Sequence, residues 1–191
     1  LGVRTMEFRW ALVACAGVLL FGTLQGIVVA IIVSMVGLAS QAANPRVSVI
    51  GRKRGADVLR PLSGEHPDDE TFEGLLVVRP EGRLFFVNAR NVGEQIEALV
   101  TQHAPRVLVL DLSRVPDIEY SALQALIEGE KKMAERGVTL WLAGLNPDVL
   151  EVVRHAGFDR QLGAGRMFFN ARAAIAHHQG QPSAGHPSGP G

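Results

Sequence analysis

Between Arg9 and Arg46 the chain carries no Asp, Glu, Lys or Arg, and no other feature restricts its folding as strongly. The run from Trp10 to Ala43 is 34 residues long. As one straight helix it would reach roughly 50 Å, against a bilayer hydrocarbon core of about 30 Å. An uncharged run of this length belongs in a membrane rather than in the core of a water-soluble domain. It is expected to turn at Gly22-Thr23-Leu24-Gln25-Gly26, where two glycines and two polar residues interrupt it. That leaves Trp10–Phe21 and Ile27–Ser40 as the arms of an all-α transmembrane hairpin within residues 1–45. The alternative is a single long, tilted anchor. Both flanks are basic, with Arg4 and Arg9 before and Arg46, Arg52, Lys53 and Arg54 after. A hairpin places both on one side, which the positive-inside tendency makes cytoplasmic. Gly17, Gly22, Gly26, Ala30, Ser34 and Gly37 allow close helix contact. The run holds no ionisable Asp, Glu, Lys or Arg, so by itself it is scaffold with no ion relay.

The formal net charge is zero, which argues against a nucleic-acid binder, since that role needs a basic face to displace counterions. The single cysteine, Cys15, lies inside the apolar run, which excludes a disulfide framework or a cysteine metal site and leaves it a packing role. The chain begins at Leu1 and shows no short apolar stretch with a small-residue cleavage site. A reading frame cut on its 5′ side, or a trimmed chain, is expected.

Asn44-Pro45 ends the apolar run, and residues 46–70 read as a polar cytoplasmic linker containing glycine and proline. From Thr71 the pattern alternates between strands and helices. Leu75–Arg79 and Arg83–Asn88 are strand-like and are expected to form a hairpin about Pro80-Glu81-Gly82. Val92, Ile96, Leu99 and Val100 fall at helical spacing with Asn91 as N-cap. Val107–Asp111 and Thr139–Ala143 are continuous apolar strands, which predicts burial on both faces. A helix runs from Ser121 to about Arg136. Another spans Pro147–Ala156, with Asn146 as cap, Pro147 at its first position and Gly157 beyond its end. Met167-Phe168-Phe169 is a short strand before a terminal helix near Asn170–His177. Residues 71–178 thus make one α/β domain, a small mixed sheet with helices mainly on one side. The expected core includes Leu75, Val77, Leu84, Phe86, Leu108, Leu110, Leu126, Leu140, Leu142 and Val153. Residues 179–191 are Gly, Pro, Ser, Gln, Ala and His, a composition that packs no core and is expected to be disordered.

No catalytic or metal-binding constellation emerges. The six histidines are scattered through linker, helix ends and tail, with His177-His178 expected as a solvated helix end. Gly163-Ala164-Gly165 lacks the rest of a dinucleotide fingerprint and reads as a loop. No cofactor is expected. The segment that stands out runs from the end of a buried strand at Asp111 through a polar loop bearing Asp117, Glu119 and Tyr120 to Ser121 at a helix start. A hydroxyl there is exposed beside free backbone N–H groups that favour a phosphate. Equally, Ser121 with Gln124 makes the S-x-x-Q pattern of a capping box. The acidic neighbours Asp111, Asp117 and Glu119 oppose a phosphoserine.

Asp117-Ile118-Glu119-Tyr120-Ser121-Ala122-Leu123 resembles the signature region of STAS domains, found in sulfate transporters and anti-sigma factor antagonists. Leu84-Phe85-Phe86-Val87-Asn88-Ala89, Gly137-Val138-Thr139-Leu140-Trp141-Leu142-Ala143 and Met167-Phe168-Phe169-Asn170 look like the permease-attached form. The apolar hairpin and Asn44-Pro45-Arg46 resemble the last two membrane helices of SulP permeases. In antagonist-type members Asp-Ser-Ser-Gly or Asp-Ser-Thr-Gly carries a phospho-acceptor hydroxyl at the position of Ser121. Here Glu119, Tyr120 and Ala122 replace the other three residues. The resemblance implies the C-terminal part of a secondary-active transporter for sulfate or a related anion, with the STAS-like domain as a cytoplasmic regulatory or interaction module. Its implied partners are the membrane (a bacterial inner membrane), the rest of the permease, a second copy as a homodimer and the inorganic anion substrate. No substrate-binding residue falls in this chain. Two other functions are compatible: a membrane-anchored STAS protein that signals by binding a partner, and a nucleotide-binding sensor.

Overall fold

The computed structural model of the chain describes Leu12 and residues 23–180. It divides into two compact units, Leu1–Ala43 and Asn44–Gly191. In the first, Thr23–Ala43 forms one α-helix, α1. The turn expected at Gly22–Gly26 is therefore corrected, because Thr23, Leu24, Gln25 and Gly26 are the opening of α1. A glycine costs a helix interior only about 1 kcal/mol, which a long apolar run of good helix formers outweighs. The expected first arm, apart from Leu12, lies outside the described residues. Side chains along α1 are described from Leu24 to Ser40, roughly 26 Å of helix. Among the described residues no helix is long and apolar enough to cross a membrane. The large apolar side chains of α1 are nevertheless exposed, among them Leu24, Ile31, Met35 and Leu38.

The second unit is built on a six-stranded sheet. Its strands are β1 (Val47–Arg52), β2 (Leu59–Pro61), β3 (Leu75–Pro80), β4 (Val107–Asp111), β5 (Thr139–Ala143) and β6 (Met167–Phe168), ordered β2-β1-β3-β4-β5-β6. Strands β3 to β6 are parallel, while β1 is antiparallel to both β2 and β3. Helices α2 (Phe86–His103), α3 (Tyr120–Glu135), α4 (Pro147–His155) and α5 (Phe158–Leu162) follow β3, β4 and β5, and α6 (Ala171–His178) follows β6. Period-two alternation separates the two faces of the sheet. Leu76, Val78, Leu108, Leu110, Leu140 and Leu142 pack with α2 to α5. Leu75, Val77, Val109 and Ala143 pack with Ile50, Phe72 and the α6 residues Ala171, Ala174 and Ile175. The mixed sheet with helices mainly on one side is as expected.

Two parts of the expected topology are overturned. The partner of β3 is β1, with Val47 opposite Pro80 and Val49 opposite Val78, so the segment read as linker supplies an edge hairpin of the sheet. Arg60 Nε and Nη2 fasten β2 to Asp69 at 2.7 and 2.8 Å, and those bonds hold the Asp69 carboxyl below its ordinary range. The supposed strand Arg83–Asn88 instead ends in the first turn of α2. Asn88, not Asn91, is the polar residue that starts this helix. Its Oδ1 accepts from the Phe85 N–H at 3.0 Å and its Nδ2 donates to the Arg83 carbonyl at 2.8 Å. Leu84-Phe85-Phe86-Val87 is a sequence of strand formers, but that local preference yields to the burial of Val92, Ile96 and Val100 along one helix face. Phe86 consequently leaves the expected core and is 71 % exposed. Leu126 is only half-buried against the core.

Leu110, fully enclosed on β4, should cost about 2–5 kcal/mol on substitution by Ala. Phe86→Ala should stay within about 0.5 kcal/mol. Urea unfolding of residues 44–180 measures both. A small loss for Leu110→Ala would contradict its central place.

Candidate functional site

The helix-bearing loops that leave the C-terminal ends of β3, β4 and β5 converge on one edge of the sheet. Their position is set by two charged residues that finish apolar strands. Because Val78 lies beside Leu110 in the parallel register, the next residues, Arg79 and Asp111, are brought side by side. Arg79 Nε and Nη2 both donate to Asp111 Oδ2, at 2.9 and 2.7 Å. The Asp111 side chain is 2 % exposed and that of Arg79 is 14 %. The other carboxylate oxygen, Oδ1, accepts from the Ser113 N–H at 3.0 Å and so bends the chain out of β4. Gly144, which follows β5, makes room for this turn. A Cβ on it would lie 2.8 Å from Asp111 Oδ1 and 3.1 Å from the Ser113 nitrogen, and its φ is +69°.

Above this pair the β3–α2 and β4–α3 loops are zipped together. Gly82 N–H donates to the Arg114 carbonyl at 3.1 Å, Leu84 N–H to that of Asp117 at 3.1 Å, and Glu119 N–H to that of Leu84 at 2.8 Å. Leu84 and Ile118 form a parallel bridge, and Arg83 Nη2 meets Asp117 Oδ2 at 2.6 Å. Asn146 works in two directions. Its Oδ1 caps α4 by accepting from Val149 N–H at 2.9 Å, and its Nδ2 donates to the carbonyls of Val115 and Pro116. Three loops are thereby held as one surface.

The five residues singled out from the sequence fall into different environments. Asp111 is buried beneath the surface in its ion pair. Asp117 is neutralised by Arg83. Glu119, Tyr120 and Ser121 lie together where α3 begins. The N-cap position belongs to Glu119, and Ser121 is the second residue of the helix, so the expected capping box of Ser121 and Gln124 is corrected. A cap residue needs extended backbone to aim its side chain at the first-turn N–H groups. Here that backbone is at Glu119, with φ −71° and ψ 149°. The Ser121 hydroxyl is exposed and donates to Glu119 Oε2 at 3.5 Å. The same carboxylate oxygen accepts from Phe86 N–H at 3.3 Å, which links the starts of α2 and α3. Phe86, Val87 and Tyr120 are exposed around it.

Arg79, Arg83 and the bridging role of Asn146 were not identified from the sequence. The one available signal was a charge closing each of two otherwise apolar strands. The histidine pair at the end of α6 is also more engaged than expected. The His177 ring lies 5.5 Å from that of Trp141, and His178 Nε2 is 3.0 Å from the Glu73 carbonyl. Among the described residues no three His, Cys, Asp or Glu side chains converge to hold a metal ion.

Asp111→Ala should cost about 3–5 kcal/mol, because it leaves the half-enclosed Arg79 without its counter-charge. Gly144→Ala should cost about 1–3 kcal/mol through strained backbone at the same turn. Denaturant unfolding of the two variants checks both. Wild-type stability in Asp111→Ala would mean the pair does not position the loops.

Residues 66–174 match the family described as STAS domain. High affinity sulfate transporter 2 of Stylosanthes hamata is 26 % identical over 91 % of this chain, and a probable sulfate transporter of Mycobacterium tuberculosis is 26 % identical over 90 %. The chain spans only 29 % and 31 % of those two relatives. Among solved structures, that of SLC26A9 superposes with a TM-score of 0.70 at 16 % identity, over 90 % of this chain and 30 % of that one. The STAS domain of a SulP transporter from Vibrio cholerae gives 0.51 at 23 % identity, over 61 % of this chain and 89 % of that domain. At these identities the two structures establish the fold.

Proposed function

The chain belongs to the STAS-domain family, and we propose that it is the C-terminal part of a secondary-active transporter for sulfate or a related inorganic anion. The observation that carries this reading is the reach of the similarity. A match over 91 % of the chain is too long to fit within the STAS domain, so it extends into the apolar segment that holds α1. The charge-free run Trp10–Ala43 that contains the helix Thr23–Ala43 is 34 residues long, against the ~20 that a membrane crossing needs. No charge lies along it, and its exposed apolar side chains need a lipid or helix environment that the described residues do not supply. In this proposal α1 is the second helix of a membrane hairpin, the STAS domain is cytoplasmic, and the anion is bound by parts of the transporter that are not in this chain. The rest of the permease and a second copy of the chain are the proposed partners.

The STAS domain is then the regulatory and interaction module. Its exposed Phe86, Val87 and Tyr120 lie at the starts of α2 and α3, and α3 also begins with Ser121, the hydroxyl we assign as the regulatory phospho-acceptor. The N-cap position falls on Glu119, whose side chain makes no cap hydrogen bond, and Ser121 lies inside the helix as its second residue rather than at the cap. A phosphate on it would meet the free N–H groups of the first turn of α3 and oppose the nearby Glu119 carboxylate. Either effect changes the edge where the loops meet. The same exposed apolar cluster also favours the second reading, a membrane-anchored STAS protein that signals by partner binding.

The DNA upstream of the Leu1 codon separates the two. Further apolar segments in frame, each about 20 residues long, together with loss of labelled sulfate uptake on gene deletion, are the expected result. A start codon within a few residues and unchanged anion uptake would overturn the transporter reading. Independently, intact-mass analysis of protein purified from its own cells should find a phosphorylated fraction mapping to Ser121. Ser121→Ala should alter stability by no more than about 0.5 kcal/mol. A hydroxyl that is never modified, or a larger stability loss, would return Ser121 to a structural role.

A further inference from the structure

Helices α2 and α3 run parallel, since each returns the chain from one strand of a parallel sheet to the next. Glu119 links their starts, and at the other end Arg136 reaches Glu97 and Thr101. Between the two helices lies an open groove of about 480 Å³, whose floor includes the core residues Leu84, Ile96 and Leu110. Gly93 and Gly129 line it from opposite helices. Both sit in helix interiors, where only proline is less favourable. A Cβ on Gly93 would meet nothing within 4 Å, and one on Gly129 only Met133 Cε at 3.9 Å. No close contact among the described residues therefore demands either glycine, and both keep the groove open to something outside the chain. Ala89 and Ala125 precede them by four residues and line the same groove, so each helix presents the same pair of small residues on one face.

The charges on the two rims select the occupant. Down α2 the rim carries Arg90, Glu94 and Glu97, and down α3 it carries Glu128, Lys132 and Arg136, all exposed. The order is plus, minus, minus against minus, plus, plus, so each rim is the complement of the other. Within one copy only Glu97 and Arg136 pair across the groove, at 3.4 Å. Arg90 turns to Glu94 along its own helix, and among the described residues Glu128 and Lys132 make no ion pair. A second copy brings this complement with it. With a two-fold axis running along the helices, α2 of each copy lies on α3 of the other. Ala89 and Gly93 then face Ala125 and Gly129, and every rim charge faces its opposite. With the axis across the helices, α2 would lie antiparallel on α2, and Glu94 would meet Glu94 and Lys132 meet Lys132, which is unfavourable. We propose that this groove is the contact between two copies of the chain, joined about a two-fold axis that runs along α2 and α3. The proposal rests on the reading above in which a second copy is a partner, and it gives that partner its surface.

The test is cross-linking of the full chain in detergent, in a Cys15→Ser background that removes the single native cysteine. Chains bearing Glu94→Cys and Lys132→Cys, each with its own tag, are co-expressed and treated with a short bis-maleimide. One cysteine per chain means that every cross-link joins two copies. The mixture should give a covalent pair bearing both tags, while neither variant should cross-link to itself. Adding Gly93→Leu to the Glu94→Cys chain should abolish the product without lowering the melting temperature, because the new side chain points into space its own fold leaves empty. If that variant does not fold, the comparison of mixed and unmixed cysteine chains decides. Self-cross-linking of Glu94→Cys equal to that of the mixture would overturn the proposal. So would the absence of a pair with both tags, as a lipid or another protein in the groove would give, or a pair that survives Gly93→Leu in a folded chain. The reading frame upstream of Leu1 decides the transporter reading separately, so either can fail while the other stands.

Discussion

Arg79 and Asp111 meet where two buried parallel strands stop, and the whole edge of the domain is registered from that contact. A carboxylate with 2 % exposure is strongly disfavoured unless a positive charge and N–H donors surround it. Arg79 provides the charge and Ser113 N–H one of the donors. The pair is not a large net source of stability, because removing both charges from water offsets their attraction. It specifies where the strands end. The turn after β4, the close approach of Gly144 and the path towards α3 follow from satisfying both oxygens of one carboxylate.

That anchoring makes the loop edge a surface rather than a set of loops. Backbone hydrogen bonds join Gly82 to Arg114, Leu84 to Asp117 and Glu119 to Leu84, while Asn146 fastens the start of α4 to the same segment. Phe86 and Tyr120 are exposed here because the backbone beneath them is already committed. An exposed aromatic on a fixed frame loses little entropy when a partner covers it. A covalent change at Ser121 would act on the same frame through Glu119, whose carboxylate also holds the start of α2.

The apolar helix obeys a different constraint. In the sheet domain, apolar residues are hidden by alternation and by helices packed on both faces. Along α1 they are exposed with no polar stripe among them, which fits an environment supplied by lipid and other helices. The two units therefore differ in whether their own fold hides their apolar residues, and the change occurs at Asn44-Pro45, where the charge-free run ends.

Much of the fold was legible in the sequence wherever the cause is local. The ends of α4 follow from Asn146, Pro147 and Gly157. Strands β4 and β5 follow from continuous apolar runs that only a doubly covered parallel sheet can bury. Apart from the short helix α5, Phe158–Leu162, which no sequence expectation named, the order of strands and helices after residue 100 needs nothing more. Tertiary structure decided the rest, because those choices depend on partners distant in sequence. Val47–Arg52 has a weak pattern of its own and becomes a strand by pairing with β3. Leu84-Phe85-Phe86-Val87 favours a strand locally, but Asn88 and the buried face of α2 make its end a helix. Ser121 lies next to the helix boundary by sequence, yet the backbone placed the cap two residues earlier, on Glu119. The Arg79–Asp111 contact was hidden for the same reason. Each residue closes its own strand, and only the register of β3 against β4 brings the opposite charges within 2.7 Å.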